Sequence, residues 1–109
     1  SWAILPKLEN GDTETSYHIY PLRIKNINED KRDMIIEEIS RHKVAVNVHF
    51  IPLPMLSFFK QLGYSIENYP NAYKNYSCEI SLPIYPQLDD SMVQIVVETL
   101  INAYNKVIL

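Results

Sequence analysis

The sequence predicts an α+β domain in which a three-stranded, mostly antiparallel sheet is covered by helices in a two-layer arrangement. Segments 17–24 and 79–85 are rich in branched and aromatic residues, and segment 44–50 alternates apolar and polar residues, as strands do. Segments 31–42 and 89–107 repeat apolar residues at helical spacing. A chain of 109 residues can bury one core of this kind.

The first strand and the first helix are expected before residue 43. Tyr17 to Ile24 has the composition of a strand. Asp30 offers an N-cap for a helix from Lys31 to His42, since an Asp side chain can accept from a free amide of the first turn. Residues 1–15, with a proline and a polar run, are predicted to be a linker or loop.

The middle of the chain predicts a second strand and two short helices. Val44 to Phe50 should be half-buried, with its valines and Phe50 toward the core and His49 on the polar side. Pro54 suits the first position of a short helix, and Gly63 can end that helix in a left-handed conformation. Pro70 is expected to begin the next helix.

A third strand and a long helix close the chain. Glu79 to Tyr85 is the strand, and Pro83 implies a sheet edge or a bulge there. Asp89 should cap the final helix, because an acidic cap complements the helix dipole. The helices cover one face of the sheet, so the other face is expected to pack against something else.

Charge and composition exclude several function classes. The net charge is −3 with a pI near 5.5, and the basic residues are scattered, which excludes a nucleic-acid surface. No apolar run reaches the roughly 20 residues that span a bilayer. The single Cys78 favours a reducing cytoplasm, and the three histidines show no metal-ligand spacing. With only two glycines, a Gly-rich phosphate loop is not possible.

His49 is the sharpest candidate for a functional side chain. An imidazole on the polar side of a strand, next to a Pro-rich loop, can donate to a substrate oxygen or move a proton. A structural histidine bonded to the backbone is the alternative, and it stays open. His18 is expected to pack within a strand, and His42 to complement the dipole at a helix end.

Two further clusters have competing interpretations. Asp89 and Asp90 are a helix cap rather than a catalytic carboxylate pair. Several tyrosines could stack on a sugar, although their density is more typical of a buried interface. These are Tyr64, Tyr69, Tyr73, Tyr76 and Tyr85.

Four segments together resemble the small domain of the DegT/StrS family of nucleotide-sugar aminotransferases. The signature is Asn47-Val48-His49-Phe50-Ile51-Pro52-Leu53; the others are 16–20, 31–33 and 80–89. They occur in the family's order over residues 16–107. The chain departs from the family at Lys43, where many members have glycine, and at Pro54, where many have a second histidine.

The resemblance implies the C-terminal domain of a fold-type I aminotransferase. Residues 1–15 would be a linker from a missing N-terminal domain, and 16–109 the small domain. The parent enzyme would transfer an amino group from glutamate to a nucleotide-linked keto sugar, in cell-surface polysaccharide or deoxyamino-sugar biosynthesis. Pyridoxal phosphate (PLP) and its lysine belong to the other domain, so this chain would bind no cofactor and supply no catalytic residue or metal ligand. The full-length protein would be a cytoplasmic homodimer.

Within that parent, the resemblance assigns substrate contacts to His49, Phe50 and Pro52, with His49 as the hydrogen-bond donor. A stand-alone ACT-like module that binds a small molecule is the alternative function. Such modules have the order βαββαβ, whereas helices are predicted here between the second and third strands, which disfavours them.

Overall fold

The computed structural model describes all residues from Ser1 to Leu109. Five strands are present: β1 (Ala3–Ile4), β2 (Glu9–Asn10), β3 (Thr13–Glu14), β4 (Tyr20–Ile24) and β5 (Glu79–Leu82). The α-helices are α1 (Glu29–Arg41), α2 (Ser57–Gln61), α3 (Pro70–Tyr76) and α4 (Asp90–Ile108). Two short 3₁₀ helices, Leu53–Met55 and Ile66–Asn68, precede α2 and α3 respectively.

The main sheet has three antiparallel strands in the order β1-β4-β5, which confirms the predicted fold class. In the central pair, Tyr20 lies opposite Leu82 and Arg23 opposite Glu79. β2 and β3 form a separate two-stranded hairpin. Helices α1 and α4 cover one face of the sheet and pack against each other.

The third strand is not the predicted one. Within 44–50, Asn47 alone pairs with a strand, through an isolated bridge to Ser81. The Asn47 Oδ1 accepts from the Val48 backbone N–H at 2.8 Å, and the His49 N–H donates to a side chain. Because these local bonds take the amides that a strand ladder needs, the segment leaves the sheet after one pair.

The third strand comes instead from the segment predicted to be a loop. β1 pairs with the free edge of β4, with Ala3 opposite Ile24. Trp2 stacks on Tyr104 of α4, with ring centroids 4.0 Å apart. Stacked aromatic rings bury a large apolar area, so Trp2 fixes this strand to the last helix.

Both long strands are shorter than predicted, and prolines account for part of the difference. β5 ends at Leu82 because Pro83 has no N–H for the ladder. Pro21 is nevertheless tolerated in β4. It lies opposite Ser81, whose own N–H and C=O are both bonded to Asn47, so the pair needs no donor from the proline.

The buried core lies between the sheet and the two long helices. It contains Leu22, Ile24, Ile35, Ile39, Ile80, Leu100 and Ala103. Asp89 caps α4 as predicted, accepting from the Met92 N–H at 2.9 Å. The cap of α1 is Asn28, which accepts from the Lys31 N–H at 3.0 Å, so the predicted cap Asp30 lies in the first turn instead.

A buried carboxylate joins the two long helices. Glu38 of α1 is 6% exposed and accepts from Lys106 Nζ of α4 at 2.7 Å. Arg41 Nη1 donates to the other oxygen at 3.0 Å. The hydrogen bond from Lys106 lowers the pKa of Glu38 below its ordinary value. The carboxylate therefore stays charged at neutral pH and holds α1 against α4.

The backbone conformation after α1 explains why many family members have glycine at position 43. Lys43 has φ +62°, a left-handed conformation that a Cβ atom disfavours. Gly63 after α2 has φ +90°, as predicted for a glycine that ends a helix. Lys43 thus occupies a glycine conformation without being glycine.

Replacing Lys43 with glycine should therefore stabilise the domain. We expect Lys43→Gly to raise the free energy of unfolding by about 0.5–1 kcal/mol, because relief of the left-handed strain exceeds the added freedom of the unfolded chain. Urea denaturation measures the change. The control is Lys60→Gly inside α2, which should lower stability by about 1 kcal/mol. A loss of stability in Lys43→Gly would contradict this account.

Candidate functional site

The predicted substrate-contacting residues lie on one loop that leaves the sheet beside β5. We call residues 47–52 the His49 loop. His49 and Pro52 are half-buried, and the peptide bond between His49 and Phe50 is cis. Phe50 was predicted to face the core, and this is wrong: its side chain is 74% exposed. It points outward because the segment has left the sheet, so strand alternation no longer fixes its direction.

Two polar side chains of β5 organise this loop. Asn47 and Ser81 exchange backbone hydrogen bonds of 3.1 and 2.7 Å. The His49 N–H donates to Glu79 Oε2 at 3.0 Å, and the Ser81 hydroxyl donates to Glu79 Oε1. Glu79 and Ser81 are only 5% and 4% exposed. They are two residues apart on a strand, so their side chains share one face of the sheet.

The His49 imidazole is incompletely satisfied. Its ring stands edge-on to Phe50, with centroids 4.6 Å apart, and Nε2 lies 3.5 Å from Asn47 Nδ2. Nδ1 is buried and has no hydrogen-bond partner within the chain. No backbone group binds the ring, so the alternative of a histidine tied to the backbone through its side chain is wrong. His49 keeps hydrogen-bonding capacity that this chain does not use.

A cavity of about 370 Å³ opens beside this ring. Its polar lining consists of His18, Asn47, His49 and Ser81; its apolar lining comes from 19, 45, 46 and 82–84. His18 precedes β4 and is exposed, and its Nδ1 lies 2.6 Å from Ser16 Oγ, so the prediction that it packs within a strand is wrong. The structure brings two imidazoles to one cavity.

Glu79, Ser81 and His18 were not singled out as site residues from the sequence. A signal for two of them exists. Glu79 and Ser81 alternate with Ile80 and Leu82 in an otherwise apolar strand, which predicts a polar side of that strand facing something other than the core. The sequence of the strand does not show which segment covers this polar side.

The other singled-out residues have structural roles. His42 lies at the end of α1 as predicted, 3.4 Å from Glu38. The Ser91 hydroxyl and the Met92 amide lower the pKa of Asp89, as expected for a charged cap. The tyrosines divide into groups without ring contacts between them: Tyr64 meets Phe59, Tyr73 and Tyr76 donate to Glu29, and Tyr85 donates to Met92.

An apolar groove of about 600 Å³ lies between the end of the sheet and α4. It is lined by Trp2, Tyr20, Tyr85, Val97 and Ile101, among others. The groove lies on the same side of the sheet as the helices, because Leu22 and Leu100 of the core also line it. It is therefore not the opposite face that was expected to pack against something else; that face carries Glu79 and Ser81 beneath the His49 loop. In the same structure, no helix is long and apolar enough to cross a bilayer.

The fold and the His49 loop define the small domain of an aminotransferase. Residues 3–101 match the model of the DegT/DnrJ/EryC1/StrS aminotransferase family, and the chain belongs to that family. Its architecture is that of the C-terminal domain. Spr1654 of Streptococcus pneumoniae is assigned as a sugar aminotransferase, and its PLP form superimposes on this chain with a TM-score of 0.95. The two sequences are 34% identical, and the match covers 100% of this chain. PseC of Helicobacter pylori, at 21% identity and a TM-score of 0.72, shares the fold.

The chain is also similar in sequence to curated proteins over most of its length. The chain is 41% identical over 97 residues to the uncharacterized protein MJ1066 of Methanocaldococcus jannaschii, covering 85% of this chain. It is 32% identical over 92 residues to the spore coat polysaccharide biosynthesis protein SpsC of Bacillus subtilis, covering 82% of this chain. In each case the match spans 24% of the relative. The chain thus corresponds to about a quarter of these proteins.

The residues of this chain do not fit PLP by themselves. A PLP site needs a lysine for the Schiff base and a cradle for the phosphate. All seven lysines are exposed, and none lines the cavity beside His49. The polar lining of that cavity can donate to and accept from a ligand, but it offers no amine to a carbonyl group.

Proposed function

We propose that this chain is the C-terminal small domain of a PLP-dependent aminotransferase. The full-length enzyme transfers an amino group from glutamate to a nucleotide-linked keto sugar, in cell-surface polysaccharide or deoxyamino-sugar biosynthesis. The family match over residues 3–101 carries the proposal. The PLP and PMP forms of Spr1654 and the name of SpsC support the cofactor and the biosynthetic class.

We infer that the two parts of the full-length protein have different roles. When bound, PLP supplies the electron sink for amino transfer. An N-terminal domain would hold it, and the enzyme would work as a cytoplasmic homodimer. Residues 1–15 would lead from that domain into this one, with β1 already part of the sheet here. The groove beside α4 supports packing against further protein, because its lining is almost entirely apolar and such open surfaces often mark contact sites.

The contribution of this chain is the His49 loop. His49 donates a hydrogen bond to the sugar substrate, and Phe50 and Pro52, which do not line the cavity within this chain, contact the substrate from the same loop. The position of the ring supports this role, because His49 lines the cavity together with His18, Asn47 and Ser81. Its Nε2 has only one long contact within the chain, 3.5 Å to Asn47 Nδ2, so it keeps capacity to bind a ligand there. The exposed Phe50 ring offers an apolar surface beside it.

The test is a transamination assay on the full-length holoenzyme, with glutamate as donor and UDP- and dTDP-linked 4-keto-hexoses as acceptors. We expect the unaltered enzyme to aminate one of these acceptors. His49→Ala should raise the acceptor KM about tenfold, the value of one hydrogen bond to a neutral group. The glutamate KM should stay unchanged, because the loop does not act on the donor.

The control variant is His42→Ala, which removes an exposed imidazole at the end of α1. Its acceptor KM should equal that of the unaltered enzyme. An acceptor KM unaffected by His49→Ala would contradict the role of the loop. Failure of glutamate to donate, or of every keto sugar to accept, would contradict the proposed reaction.

A stand-alone ACT-like module is not favoured. The observed order places α2 and α3 between the last two strands of the sheet, instead of the βαββαβ order of such modules. Spr1654, assigned as a sugar aminotransferase, superimposes on the whole of this chain.

A further inference from the structure

We propose that Glu79 is a positioning residue for substrate binding, which acts by holding the His49 loop through the His49 amide. This inference rests on the proposed function for its catalytic consequence. Glu79 makes no contact with the proposed substrate itself. Its two carboxylate oxygens bind the His49 N–H and the Ser81 hydroxyl.

The surroundings of Glu79 are unusual for a charged residue. It is 5% exposed and forms no ion pair. The nearest cross-strand cation, Arg23, lies opposite it in the register, but its guanidinium donates to Asn75. Burying a carboxylate without a cation is unfavourable unless neutral donors compensate it. Of the two donors present, one is the amide of the candidate substrate-binding residue.

The loop depends on few other attachments. Its only ladder pairing with the sheet is the Asn47–Ser81 bridge, two residues before His49. Beyond that bridge, the bond to Glu79 is the one hydrogen bond from the His49 backbone to β5. A bond from an amide to a carboxylate is stronger and shorter than one between neutral groups. Glu79 therefore fixes where the His49 ring stands in the cavity.

An apolar residue at position 79 would serve a purely structural role at least as well, because replacing buried charge with packed apolar surface is often neutral or stabilising. The variant that separates the two roles is Glu79→Leu, which fills similar space but cannot accept from the His49 amide. The matched control is Glu79→Gln, whose side-chain carbonyl can still accept it.

The experiment uses the full-length holoenzyme and two measurements. Hydrogen exchange followed by mass spectrometry reports on segment 47–50, and acceptor KM is measured with the keto-hexose that the enzyme accepts. For Glu79→Leu we expect exchange in that segment to speed up about tenfold or more, and the acceptor KM to rise about tenfold. The rate of the half-reaction with glutamate should not change, and Glu79→Gln should stay within about threefold of the unaltered enzyme.

Unchanged exchange and unchanged acceptor KM in Glu79→Leu would overturn the inference. If Glu79→Leu does not fold, Ser81→Ala decides: loss of the second donor should loosen the loop in the same direction, and no change in exchange overturns the positioning role. The proposed function fails separately, through an acceptor KM that His49→Ala leaves unaltered. In that case the exchange data still decide whether Glu79 holds the loop.

Discussion

Arg32→Ala is expected to lower the free energy of unfolding of the 109-residue chain by about 3 kcal/mol. Arg32 is only 2% exposed, although it carries a full charge. Its Nη1 donates to the Tyr76 carbonyl at 2.6 Å, and its guanidinium carbon lies 4.7 Å from the centre of the Tyr76 ring. Its Nε donates to Asp33 at 2.6 Å.

These contacts fasten α3 to α1, and Glu29 completes them by accepting from the hydroxyls of Tyr73 and Tyr76 at 3.2 and 2.7 Å. Removing the guanidinium leaves a cavity and an unpaired carbonyl at the end of α3. The loss therefore combines cavity formation with unmet hydrogen bonding.

Urea denaturation of the Arg32→Ala variant measures the effect, and Arg41→Ala is its control. The Arg41 side chain is 65% exposed and pairs with Glu37 at 3.7 Å and Glu38 at 3.0 Å. The pair with Glu37 is exposed and contributes about 0–1 kcal/mol, and the buried Glu38 keeps its hydrogen bond from Lys106, so the control should lose no more than about 1 kcal/mol. Equal losses in the two variants would show that the buried network does not hold α3.

Ile80→Ala should lower the free energy of unfolding by about 3–4 kcal/mol. Ile80 is 0% exposed and lies in β5 opposite Leu22, at the centre of the core cluster. The core cluster has only seven buried apolar residues, so few neighbours can move into the space left by the side chain. The loss should therefore exceed the lower end of the usual range for such a change, which is about 2–5 kcal/mol.

The same urea experiment measures this loss, with Ile95→Ala on α4 as the control. Ile95 is 55% exposed, so its removal should change stability by less than about 1 kcal/mol. A small effect of Ile80→Ala, similar to that of the control, would mean that the core does not support the isolated domain.

The helices of this domain could be predicted because their signals are local. Asp89 caps α4, Pro70 begins α3 and Gly63 follows α2 in a left-handed conformation, as the sequence indicated. Each of these depends on the residue type and its immediate neighbours. The fold class followed from the same periodicity, together with the two strands β4 and β5.

The sheet's third strand could not be predicted, because pairing is decided by distant residues. Segment 44–50 alternates well enough for a strand, yet Asn47 and His49 direct their amide bonding elsewhere. Ala3 and Ile4 are too few to show a strand pattern, and they form a strand because they pair with the free edge of β4. The site shows the same limit: His49 was identified from the sequence, whereas Glu79 acquires its role only when the loop folds over β5.

The most direct test of the account is a crystal structure of the full-length enzyme with PLP and a nucleotide sugar bound. We expect a ring nitrogen of His49 within hydrogen-bond distance, about 2.7–3.2 Å, of a substrate oxygen, with Glu79 still bound to the His49 amide. A substrate bound elsewhere, with the His49 ring paired to another protein group, would contradict it.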